Sequence, residues 1–362
     1  MKKITLRLKE NAYDIIIASG LLKKSGSFTR KLKIGRHAYI ITNYKIKKNY
    51  GKILKDSLNK EDITSNFRLV KDNEKAKSIY LSIKIIKDIL RLNKTTDTFI
   101  VAFGGGVIGD LSGFIASIYK RGIPYVQIPT TLLGQIDSGI GGKTAVDLKE
   151  AKNMIGTFYQ PSLVLNDISL LKSLDKRQLR SGIAEAIKYG IIKDGFILNY
   201  IEKNLNKIFA YNEEVLENLI YHCAKIKAKI VEFDEKEKKM LRTILNFGHT
   251  IGHALEAASG YKTYTHGEAI GIGMLVALEI GTKLKLTSQG LLKRVEDLLK
   301  KVGLPVKINR RLELERIIQA HYFDKKFKGK ENRFVLIQKI GRPIIKEKVP
   351  LPLIKEAIKK YY

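Results

Sequence analysis

At 362 residues and 44% hydrophobic content, the chain can bury a sizeable core and fits one large or two ordinary domains. No apolar run reaches the ~18 uncharged residues of a spanning helix, and the single cysteine, Cys223, excludes an intramolecular disulfide and a cysteine-built zinc cage. The net charge of +31 comes from lysines spread along the whole chain, not from the one-faced basic patch that a nucleic-acid binder carries; it reads as a compositional bias, and such a field favours anionic substrates.

Residues 1–9 alternate charged and apolar side chains and lack the apolar block of a signal peptide. They predict a strand at the start of a mature, cytoplasmic protein. Short β-rich runs at 36–43, 98–103, 125–128 and 163–166 read as strands, with helical spacing at 74–92 between the first two. This alternation predicts an α/β domain with a Rossmann-like, mostly parallel sheet. Ligands on such sheets sit beyond the carboxyl ends of the strands. Segments 181–192, 196–206, 213–232, 268–286 and 288–302 then show helical spacing, and strand signals nearly vanish until 333–337. A boundary near 168–175 is expected, with an α/β domain over 1–170, a mainly α-helical domain over 171–362, and the active site in the cleft between them.

A strand runs straight into a glycine-rich turn at 104–110 (Gly-Gly-Gly-Val-Ile-Gly-Asp), with a helix to follow. Glycines let the backbone approach a phosphate, whose charge is favoured at a helix N-terminus. The spacing is not the G-x-G-x-x-G fingerprint after a first strand, so a dinucleotide here would be held by a different arrangement. At 139–144 the sequence Gly-Ile-Gly-Gly-Lys-Thr resembles the end of a P-loop, but position 137 is aspartate where that motif needs glycine. A second polar knot follows at 152–156 (Lys-Asn-Met-Ile-Gly). Such polar density costs free energy unless paired, and it marks a site.

Three places offer metal ligands. Glu185 and Lys188 stand three apart on a helix and share a face. His249 and His253 stand four apart, and His266 begins an apolar helix. Half of the six histidines therefore fall within this one short stretch. Catalytic zinc takes three N/O ligands and leaves one position open. Spacing alone pairs His249 with His253, by analogy with H-E-x-x-H, but the glutamate base of that motif is absent. His37 and His222 read as ordinary residues, and His321 suggests no ligand partner.

Together these motifs resemble the 3-dehydroquinate synthase family over about residues 70–341. The resemblance rests on 104–110, 129–133 (Pro-Thr-Thr-Leu-Leu), 137–144, 152–156 with 159–161, 181–190, 245–253, 266–268 and 324–326. It implies an N-terminal α/β domain binding NAD, a C-terminal helical domain, a homodimer, and no nucleic-acid or membrane partner. It implies zinc or cobalt held by Glu185, His249 and His266, which moves His253 from ligand to a group near the substrate phosphate. It carries Asp137, Lys143, Lys188, Lys227, Arg242, Asn246, Lys152, Asn153 and Lys326 (or Lys325) into the site, with Arg121 supplied across the dimer interface. It sets NAD against Asp72, Glu74, Lys77, Gly105, Gly106, Val107, Ile108, Gly109, Asp110, Thr130, Thr131, Asp137, Lys143, Lys152, Leu170 and Ser173.

The implied reaction, in the shikimate pathway, converts the anionic sugar phosphate 3-deoxy-D-arabino-heptulosonate 7-phosphate to 3-dehydroquinate and phosphate. It runs by transient oxidation with NAD, β-elimination, reduction and an intramolecular aldol. The sequence departs from the family at Asn43 and Lys45, where an Asp and an Asn touch the adenosine, and over 71–77, where only Glu74 and Lys77 are kept. The loop at 234–240 is one residue longer. Rival readings are a sister cyclase making deoxy-inosose or valiolone rings, a polyol dehydrogenase, and a basic nucleic-acid-binding protein. Lys152 and Asn153 favour the dehydroquinate branch.

Overall fold

The computed structural model describes residues 1–9, 11–71, 73–92, 97–148, 152–322 and 332–362. Its elements begin with strands β1 (Lys2–Arg7) and β2 (Ala12–Ala18), helix α1 (Ser25–Lys31), β3 (His37–Thr42), α2 (Tyr44–Asn59), β4 (Thr64–Leu69) and α3 (Ile79–Leu92). Next come β5 (Thr98–Gly104), α4 (Gly106–Ile118), β6 (Tyr125–Pro129), β7 (Lys143–Val146), β8 (Ile155–Phe158) and β9 (Leu163–Asp167). Helices α5 (Lys176–Ile192), α6 (Gly195–Phe209), α7 (Glu213–Phe233), α8 (His249–Ala258), α9 (His266–Lys283), α10 (Gln289–Val302) and α11 (Leu314–Tyr322) follow. The hairpin β10 (Arg333–Lys339) and β11 (Arg342–Glu347) and helix α12 (Leu351–Lys359) complete the chain. Two compact units result: residues 1–174 with 211–236, and residues 175–210 with 237–362.

The first unit is built on a seven-stranded sheet in the order β1-β2-β9-β6-β5-β3-β4. All pairings are parallel except β1 with β2 at the edge. Side chains alternate along each strand. Ala38 and Ile40 of β3, with Phe99 and Val101 of β5, join a core that includes Ile46, Leu54 and Leu58 of α2. Their neighbours Tyr39, Ile41 and Ile100 join the opposite core, with Ile85 and Ile89 of α3 and Ile115 of α4. Burial on both faces explains why these strands read as near-continuous apolar runs. The chain leaves β3 for β4 on one side and returns to β5 on the other, so the strand order reverses between β3 and β5. The crevice outside their carboxyl ends is where such sheets take ligands.

Local differences from the sequence reading have local causes. Asn43, read as the end of a strand, is the N-cap of α2 and accepts from Ile46 N at 2.8 Å. The helix expected over 74–92 starts at Ile79, after a separate turn at Glu74–Ala76. Lys77 turns inward at that break, and Ser78 bridges to Asp147. Helix α7 packs within the first unit, where Glu232 accepts from Arg7 N at 2.7 Å and Glu213 pairs with Lys172 at 2.7 Å.

The second unit is helical, with α9 buried along nearly its whole length. A helix that is apolar all round is an interior helix. Caps set the starts and stops: Asp175 accepts from Gln178 N at 2.9 Å to begin α5, and Gly303, at φ 80°, ends α10. The strand expected at 333–337 is β10, paired antiparallel with β11. No helix among the described residues is long and apolar enough to cross a membrane.

Candidate active site

The glycine-rich turn lies at the carboxyl end of β5, beside the reversal in strand order. Helix α4 starts there with Gly105 as N-cap and no side-chain cap, which leaves backbone N–H groups for a ligand. A Cβ on Gly105 would come within 3.2 Å of Thr131 Cγ2, and one on Gly106 within 3.1 Å of Ser138 Oγ. Side chains here would fill the small recess lined by Gly104, Gly105, Gly106, Pro129 and Ser138. Thr130 closes the turn, its N–H donating to Gly104 O at 2.9 Å, and Thr131 Oγ1 accepts from Gly134 N at 3.0 Å. Ile108 is fully buried in the core, so its side chain is spent on packing. Leu170 is likewise a core residue, and Ser173 Oγ donates to its carbonyl at 3.0 Å.

A charged knot stands next to this turn. Lys77, 4% exposed, pairs with Asp110 at 2.8 Å and Glu74 at 3.6 Å and hydrogen-bonds the Asn153 side chain. Glu74 also pairs with Lys152 at 3.4 Å. Asp147 accepts from Asn153 N at 2.7 Å and so holds that residue at φ 54°. Burial lifts the Asp110 carboxyl above its ordinary range while Lys77 draws it back; burial would lower Lys77, but Asp110, Glu74 and Asp147 outweigh it and hold the ammonium above its usual value. Nearby, Lys227 on α7 pairs with Asp137. Lys143 is exposed at the start of β7. Arg121 is exposed in a turn where both it (φ 65°) and Lys120 (φ 49°) take the left-handed region.

The second unit gathers the other candidates. Glu185 is fully buried on α5, and its Oε1 lies 3.4 Å from His249 Nε2 and 3.3 Å from His266 Nε2. The three donor atoms all lie within 4.8 Å of one another. Lys188, one turn on and 1% exposed, pairs with the same carboxylate. For bonds of about 2.0–2.2 Å, tetrahedral ligand atoms stand about 3.4 Å apart, so this carboxylate and two imidazoles fit one divalent ion.

Packing fixes these positions. Gly248 sits at φ 79°, where a Cβ would also meet Met274 Cγ at 2.6 Å, so only glycine can start α8 here. His266 is the first residue of α9, set by a capping box in which Thr265 and Glu268 exchange bonds. Arg177 grips Glu268 with two bonds of 2.7 Å. His253 is half-buried, its ring 5.2 Å from that of His249 and 6.1 Å from that of His266. Arg242, 1% exposed, has Nε 3.7 Å from Glu237, and Asn246 is half-buried at the end of the same short turn.

Sequence reasoning missed Glu256. It is buried, and its Oε2 lies 3.4 Å from His266 Nδ1. Desolvation alone would lower His266, but Glu256 and Glu185 outweigh it and push the imidazole up to about 10. The signal was present: 249, 253 and 256 are spaced i, i+4, i+7, one face of a helix. Asp72 and residues 324–326, including Lys325 and Lys326, lie outside the described residues.

Family models described as 3-dehydroquinate synthase N-terminal and C-terminal match residues 67–181 and 182–327. A 3-dehydroquinate synthase of Thermoanaerobacter pseudethanolicus is 41% identical over 342 residues, 94% of this chain and 96% of its own. The chain belongs to the 3-dehydroquinate synthase family. The fold is shared more widely. A 2-deoxy-scyllo-inosose synthase solved with carbaglucose-6-phosphate, NAD+ and Co2+ superposes with a TM-score of 0.90 at 25% identity, covering 100% of both chains. The 2-epi-5-epi-valiolone synthase of Streptomyces hygroscopicus, solved with NAD+ and Zn2+, gives 0.89 at 26% identity over 98% of each chain. Fold therefore does not separate the cyclases; the higher sequence identity sides with the 3-dehydroquinate synthases.

Proposed function

We propose that this chain converts 3-deoxy-D-arabino-heptulosonate 7-phosphate into 3-dehydroquinate and inorganic phosphate, using NAD and one divalent metal, zinc or cobalt. The observation that carries the reading is the convergence of Glu185, His249 and His266 on one point, in a chain 41% identical to a 3-dehydroquinate synthase. Those three residues would hold the metal, and the turn at Gly105 and Gly106, with Asp110, Lys77 and Thr131 around it, would hold NAD. When bound, NAD+ accepts and returns a hydride, and the metal acidifies a coordinated hydroxyl and polarises the ketone it becomes.

The protein's own part is binding, orientation and proton handling. Lys188, Lys227 and Arg242 are buried cations with carboxylate partners, the form in which charge survives inside a protein. They would share themselves with the substrate's carboxylate and phosphate, Arg242 as a fork. Arg121 would come from the partner subunit of a homodimer. The leaving phosphate can take a proton itself, with His253 and Asn246 as relays, so no dedicated base is needed. One fixed pose of a flexible substrate lets several modest steps share a site.

The test is phosphate release from 3-deoxy-D-arabino-heptulosonate 7-phosphate with NAD, with and without a chelator. Chelator-sensitive release that needs only trace NAD and leaves no net NADH is the expected result. No release after zinc or cobalt is restored would refute it, and NADH accumulation would point to a dehydrogenase.

A further inference from the structure

The two imidazoles of the donor trio are oriented by different groups. His249 Nδ1 lies 3.1 Å from the Phe247 carbonyl, which can only accept, so Nδ1 carries the proton and Nε2 offers its lone pair toward Glu185. His266 has Nε2 3.3 Å from Glu185 and Nδ1 3.4 Å from Oε2 of Glu256. Its orienting group is therefore a carboxylate, 8% exposed, on the face of α8 that also carries His249 and His253. A buried carboxylate needs a hydrogen-bond donor, and a metal-bound imidazole has one proton to give, on its other nitrogen.

We infer that Glu256 is a positioning residue of the metal centre: it accepts the Nδ1 proton of His266, fixes the tautomer that leaves Nε2 free for the metal, and adds its charge to the ligand's basicity. This rests on the reading above that Glu185, His249 and His266 hold the metal. The geometry also offers a competitor, because His253, Glu256 and His266 have donor atoms within 4.8 Å of one another. A metal held there would use His266 Nδ1, the nitrogen on the Glu256 side, and would need the opposite tautomer. The protonation pattern of one ring therefore separates Glu256 as orienting group from Glu256 as ligand.

The experiment uses the full chain. Zinc affinity is measured by competition with a chromogenic chelator for the wild type, Glu256→Gln and His249→Ala, together with the thermal midpoint of each metal-free protein. The His266 tautomer is read by nitrogen NMR of the zinc-loaded wild type. Glu256→Gln is expected to bind zinc about 10-fold or more weakly, since removing a partner of this kind costs about 10–100-fold, alongside a lower metal-free midpoint from the lost charge pair with His266. His266 is expected to bind zinc through Nε2 with a proton on Nδ1. Unchanged affinity in Glu256→Gln, a loss of midpoint without loss of affinity, or zinc on Nδ1 would each overturn the inference. If Glu256→Gln does not fold, the wild-type tautomer decides alone. A wild type that binds no zinc, or a His249→Ala variant that keeps it, would refute the parent metal reading instead.

Discussion

Gly267→Ala tests whether close helix packing sets the spacing of the metal donors. A Cβ at this position would lie 2.3 Å from the Ser181 carbonyl oxygen, 2.4 Å from its Cα and 2.7 Å from its carbonyl carbon. All three are backbone atoms of α5, so no rotamer change relieves the clash. Ordinary contact begins near 3.4 Å, and the first turn of α9 must therefore retreat from α5 by roughly 1 Å, an overpacking that costs about 1–3 kcal/mol. The bond from Gly267 N to Ser181 Oγ, 2.9 Å long, would break as well, adding about 1 kcal/mol. Together these lower the thermal midpoint by about 5–15 °C.

The retreat matters because His266 rides on that turn while Glu185 stays on α5. Sites of this kind tolerate about 0.5 Å of misplacement. Strain of only ~1.4 kcal/mol carried into the bound state costs a factor of ten in affinity. Zinc binding, read by chelator competition, should fall by at least that factor. Gly290→Ala is the control, because nothing lies within 4 Å of its Cβ; it should stabilise by about 0.4–1 kcal/mol. If Gly267→Ala matches this control in midpoint and zinc affinity, packing of α9 on α5 does not set the donor spacing.

Other outcomes follow from the same geometry. Lys77→Met should leave Asp110 without its cation and cost about 1–3 kcal/mol, Asp110 being partly solvated. It should also weaken NAD binding; a double-mutant cycle with Asp110→Asn that shows no coupling in denaturant titration would refute the pairing. Thr265→Val should lose about 1 kcal/mol from the α9 cap and lower activity through His266, while Ser288→Ala, a remote cap on α10, should lose similar stability at full activity. Equal activities in these two variants would show that the cap does not position His266. Mixing inactive Arg121→Ala and His249→Ala subunits should restore up to about a quarter of wild-type activity if Arg121 serves the partner's site in a symmetric dimer. No recovery from reassembled hybrids would place Arg121 in its own subunit's site.

The alternation of strands and helices was legible because β3, β5, β6 and β9 are buried on both faces and leave uninterrupted apolar runs. Strands β4 and β8 were not legible. Strand β4 is partly exposed and mostly polar, and the four-residue β8 is largely exposed and contains a glycine, so neither leaves an apolar run. The histidines showed the same limit. Spacing puts His249 and His253 on one face, but it cannot say which nitrogen points where. The Phe247 carbonyl turns the His249 ring toward Glu185, and the third donor arrives from the first turn of another helix. Glu185 itself stands 64 positions before His249 in the sequence, so only the motif resemblance linked them. The spacing of α7 likewise revealed its apolar face but not which unit would cover it.

That helix has a consequence for how the chain is made. The first unit takes residues 1–174 and then waits for 211–236. At ~5–20 residues per second, the ribosome needs roughly 3–12 s to travel from position 174 to position 236. For that interval the nascent sheet lacks a helix that belongs to it, and α5 and α6 emerge before any later part of their own unit exists. Folding therefore cannot proceed strictly from the amino terminus. Apolar surface of the first unit stands open through that interval, and chaperone capture during synthesis should occur there.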